Sequence, residues 1–303
     1  MEQLKFGLAR PLTRREDLRF LTGKGRYVAD LVPQGALWAV FLRSDHAHGD
    51  ILSLDVDAAR AMPGVHLVLT ADDLLADGVT LGMKGERIDA RDGGKGAGPE
   101  RPVLARGRVR FVGEAIAVVV ADSADAARDA VEAISYDIKE LPPALHLKPE
   151  EPTLHPEAPQ NRAFEYLFGD EAGTEAALAS SAHRVALEVV HNRVTAAPME
   201  PRAAFAEWDG HRLHLCVNGQ GVWVQRNELS RMLGLPRDRI RVTNPDVGGG
   251  FGMKGMTYPE YVVISDAARR LGRPVAWLST RTEGMLTDNA GRDLVATAEL
   301  GFD

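Results

Sequence analysis

"PDVGGGFGMKG", Pro245–Gly255, sets five glycines and one phenylalanine among eleven residues. Its reading decides between a nucleotide-binding fold and something else. Gly250 to Gly255 formally matches G-x-G-x-x-G, the dinucleotide fingerprint, and a β-rich run precedes it while a helical pattern follows. In a dinucleotide turn, however, the first glycine follows its strand almost at once, and here "NPDVGG" intervenes. The acidic residue expected about 20 positions further on is also poorly placed, since Glu283 comes late. A second reading makes the glycines a tight bend. Three in a row (Gly248, Gly249, Gly250) carry an ordering entropy that a mere bend does not require. A third reading is a loop whose peptide N–H groups meet an anion or a metal-oxo group.

Working outward, "DRIRVTNPDV" reads as the strand entering the loop. Beyond the loop, Pro259 opens a helix whose Tyr261, Ile264, Ala268 and Leu271 share a face; Gly272 ends it, and "PVAWLST" returns as a strand. Upstream, "GVWVQRNELSRMLG" is helix-compatible with Gly234 just past its end. "AAFAEWDGHRLHLCVNG" reads as two strands joined at Asp209-Gly210, a strong hairpin signal. "HRVALEVVHNRV" reads as a further strand.

Residues 146–162 are proline-rich, acidic and aperiodic, which predicts a linker. Before it, "GALWAVFLRS" and "GVHLVLT" read as strands, with a short helix in "SLDVDAARAMPGV" between them. Lys84–Pro102 is glycine-rich and charged, a mobile surface loop. "FVGEAIAVVVA" holds a continuous apolar run, Ala115 to Ala121, the pattern of a strand covered on both faces. Ser123 can cap the next helix, on which Ala127, Ala130, Val131 and Ile134 fall at i, i+3, i+4 and i+7. "ISYDIKELPP" follows as a strand. The chain is thus a mixed α/β (α+β) protein: an extension (1–18), a first domain (19–145), the linker (146–162) and a second domain (163–303). Leu294, Ala296, Ala298, Leu300 and Phe302 alternate with Val295, Thr297, Glu299 and Gly301, a half-buried strand with no strand after it. A domain seldom stops on such an edge, so the second domain is expected to be cut short or completed by another chain.

A net charge of −7 over 303 residues argues against a nucleic-acid surface. No run of roughly 18 apolar residues predicts a membrane span. Arg14-Arg15 precedes no apolar stretch and is no export signal. One cysteine, Cys216, excludes an internal disulfide framework and fits a reducing, cytoplasmic compartment; it reads as a small buried hydrophobe. His46 and His48 could pair on a metal but lack a third ligand nearby, and His211 and His214 flank a hairpin. Glu200, beside Arg202 in "PMEPR", reads as an ion pair or loop brace rather than an acid–base group. Gln220, between two glycines before a helix, offers a neutral amide that can donate to an oxo group or a substrate oxygen.

Several stretches then occur in one order: "RREDLRFLTGKGRYVADL" (Arg14–Leu31), "RSDHAHGDI" (Arg43–Ile51), Val109–Leu145, "MEPRAAFAEWDG", "GQGVWVQR", "LGLPRDRIRVTNPDVGGGFGMK" and "LGRPVAWLSTRTE". Together they resemble the molybdenum hydroxylases, the large subunits of xanthine dehydrogenase, aldehyde oxidase and aerobic carbon monoxide dehydrogenase-type enzymes. The resemblance implies that 19–145 is an α/β-hammerhead domain and that 163–303 is the first part of a molybdopterin-binding domain. It implies a molybdenum–molybdopterin cofactor in its cytosine dinucleotide form. Gln220 would bond the apical oxo ligand, with Gly249, Gly250, Phe251 and Gly252 lying against the cofactor and the peptide N–H groups of Gly250 to Gly252 near the oxo. It also implies hydroxylation of an aldehyde, N-heterocycle or carbon monoxide-type substrate with oxygen from water.

The partners so implied are an iron–sulfur small subunit, a FAD-binding medium subunit and a polypeptide carrying the other half of the large subunit. The family's general-base glutamate would lie in that half, so no catalytic residue is assigned in this chain, which is expected to be inactive alone. Gln220-Gly-Val-Trp-Val-Gln-Arg226 departs from the family's Q-x-P-H-x-x-R, lacking its proline and histidine. Two other readings stay open: a non-catalytic interaction or assembly remnant, and a nucleotide-binding oxidoreductase using Gly250–Gly255.

Overall fold

The computed structural model describes residues 13–85, 87–91 and 93–303; most of the expected N-terminal extension lies outside them. Mixed α/β architecture is confirmed, built on a seven-stranded sheet that takes strands from both ends of the chain. From one edge its order is Ile240–Thr243, Leu213–Val217, Ala203–Trp208, Val275–Leu278, Leu37–Arg43, Ala115–Ala121 and Val65–Thr70. The join is parallel, with Leu37 opposite Val275 and Trp38 opposite Ala276.

The apolar run at Ala115–Ala121 is buried at all seven positions, as expected of a strand clamped between neighbours and covered on both faces. Its residues divide between two different cores, with a register irregularity at Ala115–Ala117. Val118 and Val120 join the larger cluster with Trp277 and Tyr261, while Ile116 and Val119 pack with Ala127 and Ala130 of the helix Ala124–Glu132. Ser123 caps that helix by accepting from the Ala126 N–H at 3.1 Å. The strand after it, Ser135–Glu140, does not return to the same sheet. It pairs antiparallel with Gly49–Asp55 in a separate three-stranded sheet completed by Arg108–Val109. Gly49–Asp55 therefore overlaps the segment read as helical, whose helix shrinks to Asp57–Arg60.

The hairpin at Asp209-Gly210 forms, with Asp209 accepting from the His211 and Arg212 N–H groups. Gly234 and Gly272 end their helices in the left-handed region at φ 65° and 59°, where a Cβ is disfavoured. Described residues of the charged loop 84–102 are tied to their surroundings. Gly82–Met83 pairs with Arg101–Pro102, and Arg91 and Ala97 donate to the carbonyls of Glu165 and Ala163. Cys216 is buried, which pushes its thiol upward and fits the apolar reading.

The final strand differs most from expectation. Leu294–Phe302 pairs over its whole length with His183–His191, but the described residues put no layer over the alternating apolar face. The strand is largely exposed rather than half-buried, and Leu178 of the helix Glu171–Ser180 lies against Gly301. Among the described residues no helix is long and apolar enough to cross a membrane.

Candidate functional site

The glycine loop and Gln220 are brought together. Gln220 leaves the strand Leu213–Val217 just before the helix Trp223–Leu233, and its Oε1 accepts from the Gly252 N–H at 2.8 Å and the Lys254 N–H at 3.2 Å. Its own N–H donates to the Lys254 carbonyl at 3.0 Å. Two N–H donors converging on one amide atom identify that atom as the oxygen. The amide NH2 is thereby left as the outward donor on an exposed side chain.

One expectation is corrected by this geometry: the Gly252 N–H is spent on Gln220 and cannot face a ligand. The peptide N–H groups of Gly249, Gly250 and Phe251 take no partner among the described residues.

Each glycine has its own reason. A Cβ at Gly250 would sit 2.5 Å from Gln220 Oε1, and one at Gly248 would sit 2.5 Å from the Glu200 Cβ. Gly249 and Gly252 adopt φ 96° and 90°. Packing within the chain thus explains Gly248 and Gly250 without any ligand. Phe251 is different: a non-glycine residue at φ 52° that is 77% exposed. A strained backbone presenting an aromatic ring to solvent is a pattern associated with binding sites. Gly250→Ala should push Gln220 off the loop and cost about 1–3 kcal/mol in denaturant unfolding. An unchanged midpoint would mean that the contact yields.

Three residues that the sequence reading did not assign to the site hold the loop. Glu200 does not pair with Arg202. Its carboxylate accepts from the Gly248 N–H at 2.7 Å and its own N–H donates to the Gly248 carbonyl at 3.1 Å, making it the loop brace that was one of two readings. Lys254 is fully buried beneath the loop, with Nζ donating to the Glu200 carbonyl at 2.8 Å. Burial lowers its pKa against the opposing pull of Glu200. Asp246 anchors the loop's start, accepting from both terminal nitrogens of Arg19 and, at 2.7 Å, from the Arg26 N–H. That pairing pulls the Asp246 carboxyl below its ordinary value. Only tertiary contacts could assign these roles.

Arg202 instead enters a buried hub. It donates to Glu260 at 2.8 Å, to Asp288 at 2.5 Å and to Thr287 at 2.7 Å, with its guanidinium 3.8 Å from the Tyr258 ring centroid. Arg43, from the first-domain strand, donates to Glu260 at 2.7 Å and to Glu283 at 2.7 Å. Tyr258 donates to the Met253 carbonyl at 2.9 Å, so the hub reaches the glycine loop.

The two remaining decoys separate. His46 meets Asp45 and His48 donates to the Pro142 carbonyl, so they share no ligand. Among the described residues no group of three His, Cys, Asp or Glu side chains could hold a metal. The dinucleotide reading also loses its geometry. Gly252 precedes a short 3-10 turn, Met253–Gly255, and the helix begins only at Pro259, so the glycines do not open it.

What the shelf around Gln220 offers is neutral donors: one side-chain amide and unpaired peptide N–H groups. Its cations are turned elsewhere, Lys254 to Glu200 and Arg281 to the carbonyls of Pro198 and Met199. Such a set suits an oxygen-bearing group whose metal, if it has one, brings its own ligands.

Comparison with known proteins agrees. The family described as "Molybdopterin cofactor-binding domain" matches residues 154–303, and "Aldehyde oxidase and xanthine dehydrogenase, a/b hammerhead domain" matches 22–142. The chain is 36% identical to the carbon monoxide dehydrogenase large chain of Hydrogenophaga pseudoflava, over 94% of this chain and 36% of that one. It is 34% identical to the nicotine 6-hydroxylase large subunit of Paenarthrobacter nicotinovorans, over 96% of this chain and 36% of the other. The crystal structure of quinoline 2-oxidoreductase from Pseudomonas putida 86 superposes with a TM-score of 0.83 at 36% identity, covering 96% of this chain and 37% of that one. The chain therefore spans little more than a third of the relatives it matches. With the motif order, the fold and both family matches in agreement, the chain belongs to the molybdenum hydroxylase family, as part of a molybdopterin-binding large subunit.

Proposed function

We propose that the shelf formed by Gln220, Gly249, Gly250, Phe251 and Gly252 is one wall of a molybdenum–molybdopterin site. On this reading the chain serves a cytoplasmic molybdenum hydroxylase only when the rest of the large subunit closes the other side. The observation that carries the reading is the Gln220 amide. Its oxygen is locked by two loop N–H groups, so its NH2 is fixed in the one orientation that can donate to an oxo ligand. Gly252 shapes the loop rather than donating outward, and Phe251 lies beside it as an apolar wall. Glu200, Lys254 and Asp246 keep the donors in place, so nothing need reorganise when charge shifts on the bound group. When bound, the molybdenum centre supplies the oxidation of a substrate carbon with water as the oxygen source.

The family relatives support an aldehyde, an N-heterocycle or carbon monoxide as the substrate class. The pterin would be the cytosine dinucleotide form, and electrons would pass to iron–sulfur and FAD-binding partner subunits. No general base is assigned among the described glutamates. The test is to co-express the chain with the remaining portion of a large subunit and assay the purified pair for molybdenum and pterin. About one molybdenum per pair is expected. A well-folded pair without metal removes the assignment.

A further inference from the structure

Arg101 is a cation with no carboxylate beside it. Its Nη1 donates to the Asn289 Oδ1 at a long 3.4 Å, and its guanidinium carbon lies 5.5 Å from the Phe111 ring centroid and 5.8 Å from that of Tyr258. Among the described residues no carboxylate comes within ion-pair distance of it. Glu260 acts on it from further away, but that carboxylate is already shared by Arg202 and Arg43. The side chain is half-buried, and burial pulls its pKa down. An arginine stays protonated all the same. It therefore carries a partly desolvated charge that nothing adjacent neutralises.

That charge lines a cleft of about 600 Å³ between the first domain and the second. Phe111 and Val112 from the one, and Met256, Met285 and Leu286 from the other, give it apolar walls. The other charges at the cleft are matched within the protein: Arg193 pairs with Asp293 at 3.3 Å, and Asp288 with Arg202 at 2.5 Å. A concavity of this size between domains, apolar with a few polar groups, has the general form of a small-molecule site. One unmatched positive charge calls for a monoanion. The apolar walls favour an organic anion over a strongly hydrated inorganic one. The guanidinium fork suits a carboxylate, and two methionine side chains suit a flat aromatic body.

We infer that this cleft binds a small aromatic monocarboxylate, with the Arg101 guanidinium donating to the carboxylate and Met256 and Met285 bordering the ring. The inference does not rest on the function proposed above, since neither Gln220 nor Phe251 lines the cleft.

The experiment titrates the full chain with benzoate, with benzamide as its uncharged near-isostere, with acetate as a carboxylate lacking the ring, and with inorganic phosphate. Methyl-labelled methionine spectra locate the binding, since the sequence holds only eight methionines. Benzoate should saturate and move the Met256 and Met285 methyl signals, while that of Met199, which does not line the cleft, stays in place. Benzamide and acetate should each bind about tenfold more weakly. Arg101→Met should weaken benzoate about tenfold as well. It should keep or raise the ligand-free unfolding midpoint, because the charge it removes has no partner. Four outcomes overturn the inference: no saturation by benzoate, benzamide binding as tightly, phosphate binding more tightly at the same methyls, or a folded Arg101→Met that binds like wild type. If Arg101→Met does not fold, the benzoate-to-benzamide ratio and the methyl shifts of the wild type decide alone. Gln220→Glu should bind benzoate unchanged, so loss of the cofactor assignment would leave this site standing.

Discussion

Gln220→Glu should leave the fold intact and cut molybdenum-dependent turnover of the assembled enzyme by about 100- to 1,000-fold. The substitution is close to isosteric and keeps the acceptor. One carboxylate oxygen still receives the Gly252 and Lys254 N–H groups, now as stronger, charge-assisted bonds. What changes is the outward atom: a donor becomes an anionic acceptor aimed where an oxo ligand is proposed. The thermal midpoint of the free chain should therefore move little, while metal retention and turnover fall together. Gln220→Ala is the companion. It removes donor and brace at once, and should lower the midpoint as well. A glutamate variant that retains full turnover would show that the amide serves the loop alone, and the cofactor assignment would lose its main support.

Arg202→Met should destabilise the protein by about 3–5 kcal/mol. The loss comes less from the ion pairs themselves than from the carboxylates stranded by removing their partner. Glu260 and Asp288 are both buried, and Glu260 would keep Arg43 as its ion-pair partner with Arg101 as a further cation nearby. The same hub gives a pH signature. Burial alone would raise the Glu260 pKa, but Arg202 and Arg43 outweigh it and hold the carboxyl far below its ordinary 4.5. The unfolded chain then binds a proton that the folded one does not as pH drops below about 4.5. Stability from Glu260 is complete above that pH and is lost progressively as the solution is acidified further.

In Arg202→Met the folded pKa rises, so the contribution at neutral pH shrinks and the dependence on acid flattens. Urea midpoints measured from pH 7 to 3 read both effects, and Arg202→Met with Glu260→Gln should recover part of the loss. Equal pH dependence in wild type and the single variant would remove Glu260 as the linked group.

Strand positions with strong local chemistry were legible from the sequence. The run Ala115–Ala121 announces a strand buried on both faces, Asp209-Gly210 a hairpin, Ser123 a cap, and Gly234 and Gly272 two helix ends, because each depends on neighbours a few residues away. Other helix starts also have local signals. Thr70 with Asp73 and Thr280 with Glu283 are capping boxes that open the helices Ala71–Ala76 and Arg281–Thr287. The helix Glu171–Ser180 likewise has Asp170 as its cap, accepting from the Gly173 N–H.

Motif order along the chain was enough to name the family and to single out Gln220 and the glycine loop, since those features are contained in the covalent sequence. Which donors remain available was decided only in three dimensions. The Gly252 N–H turns inward because Gln220, 32 residues earlier, is carried to it by the edge of a seven-stranded sheet. Glu200 braces the loop and leaves Arg202 to Glu260 and Asp288 because the backbone between them crosses from a loop into a buried strand. Alternation along Leu294–Phe302 specified an apolar face, yet not that the other described residues would lay nothing over it. Periodicity tells which side chains seek cover; whether cover exists depends on what chain reaches that place in space.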